Sequence, residues 1–258
     1  MENTRKEILT FLIFAFGIPF ICIHITKYLP QYYKEILNLI IFGIEAASPS
    51  LASLLTIYLF SKRDGVRKFL RKKYYENFSF KYCVMGFLAP AILYTLGKLI
   101  TNMTVSDHGN FLMPTSKKML IIAWALIAEE LGWRGFLQER LERLSGVMLT
   151  PLFVGIFWAL WHYHFWLSGT MDVPISAFLY GCILESYGYY IITRLSKGNI
   201  IPASIWHFGG NLFINVYLMN PDGNHGRIVP YVIVNGLFTV YFFCFVKMAK
   251  RHCWKKQQ

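Results

Sequence analysis

The amino-acid sequence predicts an all-α fold, a polytopic transmembrane helical bundle of about eight spans with both termini in the cytoplasm. Hydrophobic residues make up 55% of the 258 residues and aromatic residues 17%, and the mean hydropathy is +0.40, above the usage of ordinary globular domains. The basic residues lie mainly between the apolar runs and do not form one stripe. The formal charge of +12 therefore indicates lipid-flanking residues, and we expect no nucleic acid partner.

Eight segments match the template of about 20 apolar residues that a helix needs to cross the hydrocarbon core. They lie at residues 8–26, 36–60, 82–100, 119–138, 148–168, 174–193, 200–219 and 229–248. An even number of spans places both termini on the same side. With the termini inside, the inner segments hold 19 Lys and Arg and the outer loops hold five, as the positive-inside rule requires. We predict cytoplasmic termini and a single transmembrane domain over residues 1–258.

The remaining elements fit this arrangement. No small-x-small cleavage site follows the first apolar run, so we expect it to remain as the first helix. Apolar side chains recur every three or four positions among the basic residues 62–81, which predicts an amphipathic helix on the inner membrane surface; a docking surface for an acidic partner is the alternative. Pro49 predicts a kink in the second span.

The five cysteines form no CxxC pair, and Cys253 lies in the basic tail.

Charged residues enter the fourth span in the stretch 128–134, Ala-Glu-Glu-Leu-Gly-Trp-Arg, after a run that is entirely apolar or aromatic. A charge near the bilayer centre costs at least about 2.5–3.5 kcal/mol, so three together imply mutual pairing, a water-filled cavity, or both. On a helix Glu130 and Arg134 share a face, whereas Glu129 lies roughly 100° round. We interpret Glu130 and Arg134 as a structural ion pair and Glu129 as the carboxylate left free for chemistry.

Histidines occur in two further spans. His162 and His164 point roughly 200° apart on a helix, so only one can face a shared cavity, and we choose His162. His207 and Asn211 share a face and are placed to polarise one carbonyl oxygen or water. A lone histidine on an apolar helix is more often a packing residue, but two such helices beside an unpaired glutamate favour a site. We leave three other charged residues of the spans outside the catalytic set: Glu45, Lys98 and Glu185.

These motifs resemble those of the CAAX-protease and bacteriocin-processing family (CPBP, or Abi), whose members are intramembrane endopeptidases. The resemblance covers about residues 115–220 and rests on Glu129-Glu130-x-x-x-Arg134, an aromatic residue four before His162, and His207-x-x-x-Asn211. Two positions depart from the pattern. Trp158 stands where phenylalanine is common, a conservative change, and His164 stands where a proline often follows, which leaves the choice between His162 and His164 open.

The resemblance implies an all-helical bundle with residues 115–220 as its catalytic core. It also implies a cavity that opens toward the cytoplasmic side and cleavage of a peptide bond in a membrane-associated substrate. Eukaryotic members process prenylated CAAX proteins, whereas bacterial members act in peptide maturation, bacteriocin self-immunity or surface-protein control. We expect a multi-pass protein of the bacterial cell membrane whose partners are the lipid bilayer and a membrane-associated protein or peptide substrate.

The sequence contains none of the motifs that mark other classes of protease: neither His-Glu-x-x-His, Gly-x-Ser-x-Gly nor Gly-x-Gly-Asp occurs. We therefore expect Glu129 to take a proton from water that His162 holds, while His207 and Asn211 stabilise the oxyanion. The rival account is a zinc ion bound by Glu129, His162 and His207, a known type of ligand set. We favour the metal-free mechanism and commit to no cofactor.

Two other functional classes remain as alternatives. Intramembrane Glu, His and Lys also mark ion paths, which is typical of a small transporter component. The two similar halves expected of many transporters are not found in the sequence. A non-catalytic membrane adaptor or immunity factor would retain the same scaffold without turnover.

Overall fold

The computed structural model describes residues 2–29, 34–105 and 111–252. Within these ranges every regular element is a helix and no strand occurs, so the predicted all-α class is confirmed. The α-helices are α1 (Glu2–Thr26), α2 (Lys34–Leu70), α3 (Phe80–Thr104), α4 (Ser116–Ala128), α5 (Gln138–Trp161), α6 (Tyr163–Leu167), α7 (Ile175–Leu195), α8 (Ile201–Val216) and α9 (Val229–His252). Two π-helical segments, Arg71–Tyr75 and Leu131–Leu137, and the 3-10 turn Pro221–Gly223 complete the structure. Cys253 lies outside the described residues.

The helices confirm a multi-pass transmembrane protein. In the described part of the chain, five helical stretches are long and apolar enough to cross a membrane: Glu2–Thr26, Ile36–Tyr75, Phe80–Thr104, Ser116–Leu167 and Ile175–Leu195. Val229–Phe243 is a shorter apolar helix, and α8 has 16 residues. Each of the eight predicted spans is largely helical, but Ser116–Leu167 contains two of them. The count of eight spans and the cytoplasmic termini therefore remain predictions.

Two residues with positive φ divide the longer helices. The backbone of α2 leaves helical geometry at Lys62 (φ 57°), beyond the predicted kink site Pro49, and α5 is divided at Gly146 (φ 72°). Positive φ is uncommon for a residue with a side chain, so Lys62 marks a sharp change of direction. It separates the apolar part of α2 from the basic segment that follows.

The basic segment after Lys62 differs from a helix that lies only on lipid. Val66 and Phe69 pack against the protein core, and the Phe69 ring meets the edge of Phe136 at a centroid distance of 6.4 Å. Lys73 is fully buried, and its Nζ lies 2.5 Å from Glu139 Oε1. Part of the predicted lipid-facing stripe is therefore used to hold this segment against the bundle.

Contacts between distant segments define two ends of the bundle. At one end, which we call the basic end, Lys73 meets Glu139, Arg140 Nε lies 2.5 Å from Glu7 Oε2, and Arg194 pairs with Glu142. At the other, which we call the loop end, the backbone N–H of Leu112 donates to Val216 O at 3.0 Å. There, too, the N–H of Asp172 donates to Asp222 Oδ1 at 2.7 Å.

Glycines let the site-bearing helices approach closely, as small residues do in membrane bundles. An added Cβ at Gly86 of α3 would lie 2.3 Å from the carbonyl oxygen of Pro202 at the start of α8. An added Cβ at Gly155 of α5 would lie 2.6 Å from Ile183 Cα of α7. These contacts fix α8 against α3 and α5 against α7, and thereby position the histidines that α8 and α5 carry.

Candidate active site

The predicted continuous helix over residues 119–138 is interrupted at the double glutamate. Helix α4 ends at Ala128, and Leu131–Leu137 forms a π-helix in which all residues are buried. An added Cβ at Gly132 would lie 2.3 Å from the carbonyl oxygen of Pro49 on α2, so only glycine allows this packing. Short π-helical segments are frequent at functional sites. Here the segment places Glu129 and Glu130 between α5 and α8.

Glu130 joins two partners through one oxygen. Its Oε1 accepts a hydrogen bond from Arg134 Nη1 at 3.0 Å and another from His207 Nδ1 at 2.9 Å. The ion pair expected from the spacing of Glu130 and Arg134 is therefore present, and both side chains are buried. Glu130 also does more than neutralise Arg134, because it holds the imidazole of His207 on another helix.

Arg134 is enclosed by aromatic rings as well as by its ion pair. Its guanidinium carbon lies 4.5 Å from the ring centroid of Trp158 and 4.0 Å from that of Tyr189, within the range of a cation–π interaction. Its Nη2 donates to Ser186 Oγ at 3.4 Å. Arg134 thus ties the π-helix to α5 and α7 beneath the histidines.

Glu129 lies between an indole and an imidazole. Its Oε2 accepts a hydrogen bond from Trp158 Nε1 at 2.8 Å, and its Oε1 lies 3.9 Å from His207 Nε2. The residue is 7% exposed and lines an internal cavity. One oxygen is therefore fixed by Trp158, and the other faces His207 beyond hydrogen-bond distance.

The two neighbouring histidines face different surroundings. His162 lines the cavity, and its Nδ1 donates to the Trp158 carbonyl oxygen at 2.8 Å, which leaves Nε2 for other partners. His164 is 1% exposed, and its Nδ1 donates to the Trp161 carbonyl oxygen. Its Nε2 has no hydrogen-bond partner among the described residues. The structure thus places His162, and not His164, at the cavity.

The cavity brings together the four residues predicted to carry the chemistry. It has a volume of about 260 Å³ and is lined by Glu129, His162, His207 and Asn211 among others. Asn211 follows His207 by four residues on α8, as the sequence predicts for a shared face. Glu130 and Arg134 lie behind this surface and contact it through His207 and Trp158.

Three residues to which the sequence assigned no catalytic role contribute contacts to the site. Trp158 donates to Glu129, which a phenylalanine at this position could not do. Tyr189 stacks on Arg134, and Glu185 lines the cavity with its oxygens bound by the hydroxyls of Tyr94 (3.1 Å) and Tyr189 (3.4 Å). The motif already includes Trp158 as the aromatic residue four before His162, but no sequence spacing indicates its hydrogen bond to Glu129.

Glu129, His162 and His207, the alternative zinc ligands, are not arranged as a ligand set. Among residues 2–29, 34–105 and 111–252, no three or more His, Cys, Asp or Glu side chains form a group that could hold a metal ion. His207 and His162 use Nδ1 for hydrogen bonds to Glu130 and to a backbone carbonyl, so only Nε2 of each ring could bind a metal. In this arrangement the two Nε2 atoms and Glu129 do not form a metal-binding group.

Comparison with known families identifies the same segment. Residues 111–213 match the family model described as type II CAAX prenyl endopeptidase Rce1-like. The match contains every residue on which the predicted resemblance rests, so the family resemblance is confirmed over this part of the chain. No match to the chain is found among the curated proteins.

Proposed function

We propose that this chain, whose residues 111–213 form an Rce1-like type II CAAX prenyl endopeptidase domain, is an intramembrane endopeptidase that uses Glu129 to activate water. The family match supports CAAX-type intramembrane proteolysis in general. The observation that carries the proposal is the convergence of Glu129, His162, His207 and Asn211 on one cavity among membrane-spanning helices. The substrate is a membrane-associated protein or peptide, and the protein resides in a bacterial cell membrane.

Glu129 acts as the general base. Trp158 holds Oε2, so Oε1 is the atom that takes a proton from water. Neutral His162, with its proton on Nδ1, offers the Nε2 lone pair as a hydrogen-bond acceptor for the same water. The water oxygen bonds to the scissile carbonyl carbon as its proton moves to Glu129. Protonated Glu129 then returns the proton to the leaving nitrogen as the C–N bond breaks.

His207 and Asn211 stabilise the oxyanion that forms in the attack. Because His207 Nδ1 donates to Glu130, its Nε2 can donate to the oxyanion only when the ring carries a second proton. The carboxylate of Glu130 compensates the charge of that imidazolium. Glu130 therefore supports the chemistry as a positioning residue, beyond the purely structural role expected from its spacing to Arg134.

Peptide profiling tests the proposed activity in cells. Membrane fractions from cells that express wild-type protein should contain peptide termini that are missing when the cells express Glu129→Gln at equal abundance. His164→Ala is the matched control, because this histidine lies outside the cavity. Membrane fractions from cells that express this variant should contain most of the peptide termini seen with wild type. Identical peptide sets for wild type and Glu129→Gln would contradict the proposed function.

Trp158→Phe tests the hydrogen bond to Glu129. The change restores the residue common in the family but removes the Nε1–H donor, so we expect the cleavage rate to fall. The expected loss is about tenfold to a hundredfold, since hydrogen bonds to charged groups contribute about 1.5–3 kcal/mol. The effect should be on kcat more than on KM, because the indole orients the base.

Trp124→Phe is the matched control for Trp158→Phe. Trp124 also lines the cavity, but its Nε1 donates to the Gly43 carbonyl oxygen at 3.1 Å. This variant should keep a kcat near the wild-type value. Wild-type kinetics for Trp158→Phe would show that Glu129 needs no hydrogen bond from the indole.

Chelation tests the metal-free mechanism. The proposed reaction uses only side chains, so dialysis of the purified protein against a strong chelator should leave the cleavage rate unchanged. The rate and the zinc content are to be measured on the same sample. Loss of activity on chelation, followed by recovery with stoichiometric zinc, would replace this mechanism by one in which Glu129 and the histidines are ligands.

A further inference from the structure

The cavity contains a carboxylate, Glu185, that the proposed mechanism does not use. Glu185 lies on α7 and lines the cavity. Its side chain is half-buried, whereas Glu129, His162 and His207 are at most 8% exposed. Glu185 is therefore more accessible than the catalytic groups, and it is placed to meet a molecule bound in the cavity.

The cations of the catalytic centre are already matched by other carboxylates. Arg134 Nη1 lies 3.0 Å from Glu130 Oε1. His207 faces Glu130 at 2.9 Å and Glu129 at 3.9 Å. With His207 protonated, as the proposed mechanism requires, these four side chains carry no net charge. Glu185 is outside these pairs and forms no ion pair with any residue in the part of the chain that the structure describes.

Lys118 also lines the cavity, but it is remote from the catalytic groups. It lies at the exposed start of α4, about 15 Å along the helix from the end that carries Glu129. The catalytic part of the cavity therefore holds one carboxylate, Glu185, whose charge no cation of the chain neutralises at contact distance.

Two tyrosine hydroxyls hold Glu185 in place. Tyr94 donates to Oε1 at 3.1 Å and Tyr189 donates to Oε2 at 3.4 Å. An ionised carboxylate has about four acceptor positions, so acceptor capacity remains for a bound group. The ring of Tyr189 lies 6.0 Å, between centroids, from that of His207. The length of one tyrosine side chain thus separates Glu185 from the catalytic imidazole.

Helix α9 adds polar groups beside Glu185. Gly181 precedes Glu185 by four residues and shares its face of α7. An added Cβ at Gly181 would lie 2.9 Å from Asn235 Oδ1 and 3.0 Å from the Tyr231 hydroxyl oxygen. Glycine therefore allows these two side chains of α9 to approach α7, where they line the cavity. We call Tyr94, Glu185, Tyr231 and Asn235 the acidic subsite.

We propose that the acidic subsite binds a lysine or arginine side chain of the substrate, close to the bond that is cleaved. This inference rests on the proposed endopeptidase function and narrows its substrate class to peptides with a basic residue beside the scissile bond. A carboxylate removed from water is stabilised by a cation in contact with it. The tyrosine hydroxyls and the amide oxygen of the subsite can accept the remaining N–H groups of that cation.

The walls beside the acidic subsite suit the aliphatic part of a basic side chain. Cys182 and Val234 line the cavity and are both buried. Lysine and arginine place their methylene stems along apolar surface while the charged group meets a polar partner. The cavity therefore offers apolar contact to the stem as well as a counter-charge to its end.

Most of the acidic subsite lies outside the segment that matches the family model. Tyr94 belongs to α3, and Tyr231 and Asn235 belong to α9, whereas the match covers residues 111–213. The four proposed catalytic residues all lie within that segment. We therefore expect the acidic subsite to determine which peptide is bound, and the groups of the matched segment to carry out the reaction.

Changes in the substrate test the proposal without altering the enzyme. The peptides are those whose termini appear with wild type and are missing with Glu129→Gln. Aligned at the cleaved bond, they should carry Lys or Arg at one fixed position. Replacing that residue by methionine, which is unbranched and uncharged, should raise KM about tenfold to a hundredfold, the range for a lost hydrogen bond to a charged group. Equal KM values for the two peptides would overturn the proposal.

Glu185→Gln completes a double-mutant cycle with the same two peptides. Glutamine keeps the shape but removes the charge, so this variant should bind both peptides about as weakly as wild type binds the methionine peptide. Glu45→Gln is the control, because Glu45 does not line the cavity, and it should keep the wild-type preference. A preserved preference in Glu185→Gln would overturn the proposal. So would an equal fall in kcat for both peptides, which would assign Glu185 to the reaction.

Binding without turnover separates this proposal from the proposed function. A photoreactive N-acyl-lysine amide and its norleucine counterpart differ in the ammonium group, and both are added to Glu129→Gln protein in vesicles of zwitterionic lipid. The lysine probe should label the cavity about tenfold more strongly, and Glu129→Gln/Glu185→Gln should show no such preference. Equal labelling by the two probes would overturn the acidic subsite. If the preference is present but Glu129→Gln cleaves peptides at the wild-type rate, the subsite stands and the proposed mechanism fails.

Discussion

Replacing Arg134 by alanine is expected to remove most of the folded protein from the membrane. The substitution leaves the buried Glu130 carboxylate without its cation, and breaking a buried pair in this way costs about 3–5 kcal/mol. It also removes the guanidinium from between Trp158 and Tyr189, together with its bond to Ser186. Abundance after membrane extraction and the thermal midpoint in detergent measure this effect.

Two further variants make the Arg134 prediction specific. Arg143→Ala removes an exposed arginine at the basic end and should leave abundance and thermal stability near the wild-type values. The double variant Glu130→Gln/Arg134→Leu removes both charges of the buried pair, while the glutamine oxygen can still accept the His207 hydrogen bond. It should be more stable than Arg134→Ala. If Arg134→Ala remains fully folded but does not cleave, Arg134 belongs to the reaction itself.

Much of the fold follows from one-dimensional patterns. Apolar runs of sufficient length predicted the helices, because a lipid-exposed backbone must satisfy its hydrogen bonds internally. Helical spacing also predicted the contact between Glu130 and Arg134, which the structure contains. The same reasoning gave opposite directions for His162 and His164, which the structure places at the cavity and in the core, respectively.

Features that depend on distant contacts were not predictable in this way. The π-helix after Glu130 requires Gly132 to lie against the Pro49 carbonyl of another helix. The bond from His207 to Glu130 joins residues of separate helices, so no local spacing indicates it.

The substitution Glu129→Gln is expected to abolish turnover while preserving the fold. Glutamine has nearly the same shape, and its carbonyl oxygen can still accept the hydrogen bond from Trp158 Nε1. It cannot take the proton from water, and a positioned general base contributes about 10²–10⁴-fold to the rate. The loss should appear in kcat, with substrate binding retained, because the amide still occupies the same site on the cavity wall.

Glu45→Gln is the matched control for Glu129→Gln. Glu45 is also a buried carboxylate in a predicted span, but it is not among the residues that line the cavity. This variant should cleave at a rate near that of wild type. A comparable loss of turnover in both variants, with both proteins folded, would mean that intramembrane carboxylates are required for reasons other than the proposed base.

The central claim is tested most directly by single-turnover cleavage in proteoliposomes. The substrate is a membrane peptide that accumulates in cells expressing the inactive variant, and enzyme is present in excess so that binding does not limit the rate. Mass spectrometry follows the new termini, and crosslinking measures bound peptide in parallel. The proposed mechanism predicts that Glu129→Gln binds the peptide and leaves it intact, whereas wild type converts it to two products. Cleavage by Glu129→Gln at the wild-type rate would contradict the mechanism.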